Sequence, residues 1–298
     1  MLVLLAEIYK ELDYIDKKIL LLLDKLLIRY EYVPLSVIEG SINVPPRELA
    51  LRLGRLSEMK LIKRSLTSRT GYRLTFLGLD CLALGDLVRD GVIAYLGSSI
   101  GTGKESEVYI AKSSKGAPLA VKFYRIGKAS FQKVSRVRQY LTNERCWLIR
   151  SKLAAEREYS VLSELPRYTE NVPRAYGWSR HAVVMSYING VELYRCRELR
   201  KPTEVLYGIF NALRAAFIHL GIVHSDLSEY NVVVSIEDEV PYIIDWPQYV
   251  HRDNPLHLEY LKRDVLYVIK FFKRRYGVSI DVSKALRFVK GEVNEVIG

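Results

Sequence analysis

His224-Ser225-Asp226-Leu227-Ser228-Glu229-Tyr230-Asn231 is the stretch on which the reading of this chain turns. Asp226 can accept or orient the proton of an attacking hydroxyl. Asn231, five residues on, offers a neutral oxygen to a hard divalent cation. Fourteen residues later Asp245 follows the apolar pair Ile243-Ile244 and precedes Trp246-Pro247-Gln248. It adds a charged ligand that bridges metal and phosphates. A His-x-Asp-x-x-x-x-Asn match on its own arises by chance. Here it follows a helical segment closed by Gly221 and precedes a β run that returns to Asp245. His224 reads as structural, orienting the loop.

Upstream, Gly101-Thr102-Gly103-Lys104-Glu105-Ser106 is a glycine-rich turn. It is not a Walker A loop, because Glu105 follows Lys104 and Ser98 stands where the first glycine belongs. Gly101, Gly103 and Val108 fit the kinase loop instead, with Ser106 in place of its third glycine. Taken alone, a flexible hairpin turn explains the segment as well. Lys122 ends Leu119-Ala120-Val121 in a strand, where it serves either as an edge charge or as a phosphate ligand. Glu158 favours the second. The helix expected over 153–165 puts it on one stripe with Ala154, Val161, Leu162 and Leu165. A carboxylate in an apolar stripe needs a partner, and Lys122 is the natural one.

The first ninety residues read as helix (14–30), short helix (35–39), a helix opened by Pro45-Pro46, a hairpin (61–66 and 72–76) and a further helix (77–89). That order describes a winged helix-turn-helix; a helical domain for protein contacts is the competing reading. Arg47, Arg52 and Arg55 on its second helix, with Arg64, Arg69 and Arg73 in the wing, are candidates for nucleic acid. Residues 1–90 carry 14 Lys/Arg against 12 Asp/Glu, a net of only +2, so this domain alone should bind weakly. From Val92 the texture becomes strand-like (92–96, 107–111, 119–124, 182–185, 232–234), then helical (203–220, and from Asn254-Pro255 onward). The fold class is α+β. A winged helix (1–90) precedes a bilobal domain (91–298), with an N-lobe of about 91–185 and a C-lobe of about 186–298.

The chain has 298 residues, 45 Lys/Arg and 34 Asp/Glu, a net of +11. Lys122 to Arg157 holds 10 cations and two carboxylates. A solvated face is the plain reading of such a run. Interleaved Phe131, Tyr140 and Trp147 favour a polyanion, RNA above all, with Lys128, Lys133, Arg136 and Arg138 as contacts. Three cysteines without CxxC spacing, no secretion leader and no membrane-length apolar segment place the protein in the cytoplasm.

With these residues in place the chain resembles the Rio family of atypical protein kinases, in the subgroup with an N-terminal winged helix. The match rests on residues 101–106, Lys122, Glu158, 224–231 and Ile244-Asp245-Trp246-Pro247-Gln248. Ser225 stands where glycine is expected, and Trp246 where phenylalanine is. The resemblance implies a kinase-like domain lacking the activation loop and the peptide-docking helices. ATP and Mg2+ (or Mn2+) would bind between the lobes. Gly101, Gly103, Lys104, Ser106, Val108, Lys122 and Glu158 would serve the phosphates, and Met185, Ser186 and Ile188 the adenine. Asp226 would be base or orienter, Asn231 and Asp245 the metal ligands. It also implies a role on the precursor small ribosomal subunit, with its rRNA and proteins as partners, and phosphate uptake on Asp245. Ser130 is a candidate autophosphorylation site, and a monomer is expected. Two alternatives stay open: a small-molecule phosphotransferase of the antibiotic- or choline-kinase type, and a DNA-binding regulator that senses nucleotide.

Overall fold

The structure is a computed structural model and describes residues 2–65, 70–127 and 144–296. It divides into two compact units, one of residues 1–156 with 177–184, the other of residues 157–176 with 185–298.

The first unit opens with α1 (Leu2–Glu11) and α2 (Tyr14–Lys25). Asp13 caps α2 by accepting the Ile15 and Asp16 N–H groups at 2.8 and 2.9 Å, and Asp16 accepts the Asp13 N–H at 3.4 Å. The short strand β1 (Val33–Pro34) leads to α3 (Leu35–Ser41) and α4 (Pro46–Glu58), whose Leu49, Leu53 and Leu56 are buried. Strands β2 (Ile62–Arg64) and β3 (Gly71–Leu74) form the wing, with β3 between β1 and β2. Helix α5 (Phe76–Arg89) closes the module, its N-terminus capped by Thr75. The winged-helix order expected from sequence is thus present.

The strands β4 (Tyr95–Thr102), β5 (Ser106–Lys112), β6 (Pro118–Tyr124), β7 (Ala175–Ser179) and β8 (Ala182–Ser186) form a five-stranded sheet ordered β4-β5-β6-β8-β7. The first strand starts three residues later than the sequence suggests and contains Gly101 within it. Its register against β5 slips between Leu96 and Ser99 and again between Ser99 and Gly101. Gly97, Ser98 and Ser99 supply no alternating apolar face to fix it. Helix α6 (Glu144–Glu164) begins nine residues before the expected Leu153 and continues from the first unit into the second.

Several cations read as solvent-facing are engaged inside the first unit instead. Arg52 pairs with Asp13, Asp16 and Glu48 at 2.6, 3.0 and 2.8 Å. Arg55 donates to the Glu11 carbonyl at 2.7 Å and reaches Asp16 at 3.5 Å. Asp16 is fully buried, so these two arginines compensate a charge that water cannot reach. In the basic run, Arg145 donates to the Leu27 carbonyl, and Lys152 pairs with Asp24 at 2.8 Å. Trp147 is buried, and so is Arg73, which lies over the Tyr32 ring. Arg47 and Arg64 are exposed. Arg69, Lys128, Ser130, Lys133, Arg136 and Arg138 lie outside the described residues.

A buried ionic cluster joins the winged-helix module to the sheet. Asp80 of α5 takes both Arg125 amino groups, at 2.7 and 2.9 Å, and His181 Nε2 at 2.7 Å. Glu107 of β5 lies 3.5 Å from Arg125 and accepts the Tyr109 hydroxyl at 3.1 Å. The Arg125 N–H donates to the Glu105 carbonyl at 2.6 Å, which reaches the glycine turn itself. Burial alone would raise the Asp80 carboxyl; Arg125 and His181 outweigh it and hold it below the ordinary range. Burial also lowers His181.

Asp80→Ala removes the nearer of the two carboxylates that compensate Arg125, leaving only Glu107 at 3.5 Å, and is expected to destabilise the first unit by about 3–5 kcal/mol in denaturant titration. Both shifts are downward, so the native state resists protonation more than the unfolded chain does. The stability they contribute is present above the ordinary histidine range and is lost as pH falls through it and then through the carboxylate range. Asp80→Ala should remove the carboxylate part of that acid limb while leaving the histidine part, since Asp80 opposes the lowering of His181.

Candidate active site

The second unit builds its site on short hairpins. Strand β9 (Gly190–Glu192) is followed by α7 (Pro202–Ala215) and a turn of π-helix that ends at Gly221 in the left-handed conformation, φ 65°. Strands β10 (Ile222–Val223), β11 (Val232–Ser235), β12 (Pro241–Ile243) and β13 (Val250–His251) come next. Their sheets are β9-β11-β12 and β10-β13. Helix α8 (His257–Tyr276) and a further helix, α9 (Val282–Val289), close the unit.

The register Val232↔Ile243 sets Asn231 opposite Ile244, whose N–H donates to the Asn231 carbonyl at 2.9 Å. That pairing delivers Asp245 to the side of the 224–231 loop. Asn231 Nδ2 donates to the Asp226 carbonyl at 2.8 Å, which turns Oδ1 outward as an acceptor. Gln248 Nε2 donates to an Asp226 carboxylate oxygen at 3.3 Å. Burial and the neighbouring Asp245 charge push the Asp226 carboxyl up. A raised carboxyl is a better proton acceptor at neutral pH. His224 is fully buried. Its Nε2 faces the Ile244 carbonyl at 3.2 Å and its Nδ1 the Asp226 N–H at 3.4 Å, so it orients the loop as expected.

Backbone conformation explains a sequence oddity. Ser225 has φ 64° and Asp245 φ 69°, both in the left-handed region that favours glycine. The glycine expected at Ser225 would sit there without strain. Serine is held by three contacts: its hydroxyl donates to the Gln248 carbonyl at 2.6 Å, its N–H donates to Asp264, and its carbonyl accepts from Arg263.

Asp264 on α8 is the residue that sequence reading missed. It is 1% exposed and accepts the Ser225 N–H at 2.7 Å and the Leu227 N–H at 3.3 Å, so it clamps the backbone on both sides of Asp226. Its one signal was an aspartate on the apolar stripe Leu261, Val265, Val268, Phe272. Burial pushes its carboxyl up to about 7 despite the two N–H donors. Arg157 on α6 fixes the segment after Asp245. It donates to the Pro247 carbonyl at 2.6 Å and to the Tyr249 carbonyl, and lies 4.0 Å over the Tyr249 ring.

The other candidates are placed as follows. Lys122, in the first unit, is 6% exposed, pairs in register with Val108, and has its ammonium 4.7 Å from the Tyr124 ring. Lys104 is exposed, while Ser106 and Val108 are half-buried. A Cβ on Gly101 or Gly103 would meet nothing closer than 4.0 or 3.5 Å. Neither glycine has positive φ, so the chain's own packing does not demand glycine, and the space is open to a phosphate group. In the second unit Glu158 is 1% exposed and Met185 is buried. The Ser186 N–H donates to the Arg174 carbonyl at 2.9 Å; Ile188 is half-buried. Among the described residues no three His, Cys, Asp or Glu side chains cluster as a metal cage. An amide and a carboxylate suit Mg2+, which takes few protein ligands and completes its shell with phosphate oxygens and water.

The fold and this residue set define a protein-kinase-like phosphotransferase. The RIO domain family matches residues 107–285, and the Rio2 N-terminal family matches residues 9–90. The chain belongs to the RIO family of serine/threonine protein kinases, in its Rio2 branch. It is 34% identical over 271 residues to the RIO-type serine/threonine-protein kinase Rio2 of Methanocaldococcus jannaschii, covering 87% of this chain and 98% of that one. It is 33% identical over 256 residues to the rio2 kinase of Schizosaccharomyces pombe, covering 85% and 74%. A crystal structure of the Chaetomium thermophilum Rio2 kinase–ADP/Mg2+–phosphoaspartate complex superposes with TM-score 0.81 at 28% identity, covering 95% and 88%. Membership in a protein-kinase family decides against the small-molecule phosphotransferase.

Asp264→Asn should lower kcat at least tenfold with ATP affinity within a few-fold, measured by steady-state turnover and nucleotide titration. The raised Asp264 carboxyl gives stability that is full below the unfolded carboxylate range and is lost as pH rises toward about 7. Wild-type stability should fall over that window by up to about 1.4 kcal/mol per pH unit relative to Asp264→Asn.

Proposed function

We propose that this kinase acts in maturation of the small ribosomal subunit as an ATP-driven switch, and that Asp245 itself takes up the γ-phosphoryl group. The observation that carries the reading is the pairing of Asp245 with Asp226: two carboxylates close enough for one to raise the other's pKa. The phosphoaspartate in the related Chaetomium enzyme supports it. In the proposed step an Asp245 oxygen bonds to the γ-phosphorus as the bond to the β-phosphate oxygen breaks, giving an acyl phosphate and ADP. Water then cleaves the acyl phosphate, and Asp226 accepts its proton. Asn231 and Asp245 would hold Mg2+, which supplies charge neutralisation at the phosphates. Lys122, with Gly101, Gly103, Lys104, Ser106 and Val108, is assigned to the phosphates. Glu158 is assigned to supporting Lys122, and Met185, Ser186 and Ile188 to the adenine. The ribosomal setting, precursor rRNA and its proteins as partners, and a cytoplasmic site of action rest on the winged helix, the +11 charge and the family resemblance. Ser130 is retained as a proposed phosphorylation site.

Incubation with γ-labelled ATP should leave hydroxylamine-labile label on Asp245, absent in Asp245→Asn; label on serine alone would overturn the acyl-phosphate step. Asp226→Ala should abolish turnover while ATP affinity changes by no more than a few-fold. Native pull-down followed by RNA sequencing and mass spectrometry should recover small-subunit precursors; their absence would remove the ribosomal assignment.

A further inference from the structure

The second unit carries a surface that the phosphotransfer residues do not use. Tyr194, Tyr230 and Tyr267 are 42%, 58% and 44% exposed. Exposed aromatics scattered singly are ordinary, but these three are contiguous. The Tyr194 and Tyr230 rings lie 4.7 Å apart at 37°. The Tyr194 N–H donates to the Glu229 carbonyl at 3.1 Å, and the Glu229 carboxylate beside Tyr267 pushes that phenol up from its ordinary value. Glu229 is itself buried. The rings are therefore held around one residue of the 224–231 loop, and each remains partly exposed to solvent.

Beside them α8 forms a groove of about 370 Å³ lined by Glu259, Lys262, Arg263, Leu266, Tyr267 and Lys270, three cations against one carboxylate. Lys262, Lys270 and Arg274 stand at i, i+8 and i+12 on one helical face, a row about 18 Å long at 1.5 Å per residue. All three are exposed, and none forms an ion pair among the described residues. The helix as a whole carries six Lys/Arg against Glu259 and Asp264, and Asp264 is buried beneath the loop. Arg52 and Arg55 of α4 and several cations of the basic run are engaged internally, whereas this row is not.

A row of unpaired cations attracts a phosphate chain, and exposed tyrosine rings beside it can stack bases without regard to sequence. An acidic peptide would use the cations but gives the rings no flat partner. A duplex hides its base faces, so the strand must be single. We propose that Tyr194, Tyr230 and Tyr267, with Lys262, Lys270 and Arg274, form a docking surface for single-stranded RNA immediately beside the phosphotransfer loop. RNA as the nucleic acid rests on the ribosomal reading above.

The test uses the full chain and a fluorescein-labelled, unstructured 12-nucleotide RNA, with anisotropy titrations across a salt series. Tyr267→Leu should weaken binding about tenfold. The double variant Lys262→Ala/Lys270→Ala should reduce the log–log salt slope by about 1.4, with ATP turnover and Asp245 labelling unchanged. The charge-matched pair Lys112→Ala/Lys115→Ala in the first unit should leave the slope intact. Wild-type affinity and slope in both patch variants would overturn the proposal, as would an equal loss in the control pair. Retained RNA binding with lost phosphorylation of an added protein acceptor would assign the surface to protein instead. Asp245 labelling reports separately on the phosphotransfer reading, so the two can fail independently.

Discussion

A single buried carboxylate, Asp264, sets the geometry on which the chemistry of the second unit depends. The loop from His224 to Asn231 has no ladder of its own, and a backbone N–H buried without a partner is costly. Asp264 takes the N–H groups of Ser225 and Leu227, which fixes the peptide units on either side of Asp226. The left-handed backbone at Ser225 is tolerated because N–H, carbonyl and hydroxyl are all held. Strain of this kind persists where the surroundings over-determine it, and such places are commonly functional. The clamp lies on α8, so the helix that packs the unit's core also fixes the backbone around Asp226.

The first unit follows the same rule with a different set of charges. Asp16 and Asp80 are both buried, and each is matched by arginine from an element distant in sequence. Arg52 and Arg55 bind α4 to α2; Arg125 binds the sheet to α5. The winged-helix module and the sheet therefore share ionic contacts that neither could complete alone. Arg125 also holds the Glu105 carbonyl, so the glycine turn is anchored through the residue that anchors the module. Buried pairs of this type fix a unique arrangement more than they add net stability, since their desolvation cost is comparable to their attraction.

These pairings change what the positive charge of the chain can do. A cation that neutralises a buried carboxylate has no attraction left for a partner. Arg52, Arg55 and Arg125 fall in that class, whereas Lys262, Lys270 and Arg274 face solvent and form no ion pair among the described residues. Net charge by segment, which pointed to the run from Lys122 to Arg157, does not distinguish the two classes.

The sequence by itself determined the order of elements and the winged helix, and it singled out Asp226, Asn231 and Asp245 as candidates. Those features are written in local spacing: helical stripes, proline and glycine punctuation, and a motif within one loop and one hairpin. The buried stripe around Glu158 and the closure of α7 at Gly221 were legible for the same reason. Tertiary structure alone decided the role of Asp264, thirty-eight residues beyond Asp226, and the left-handed backbone that makes Ser225 a departure. It also decided which arginines are internal, and the meeting of Tyr194, Tyr230 and Tyr267. Each of these depends on partners far apart in the chain, and a periodicity of two or 3.6 residues carries no information about which distant group will satisfy a buried charge or N–H.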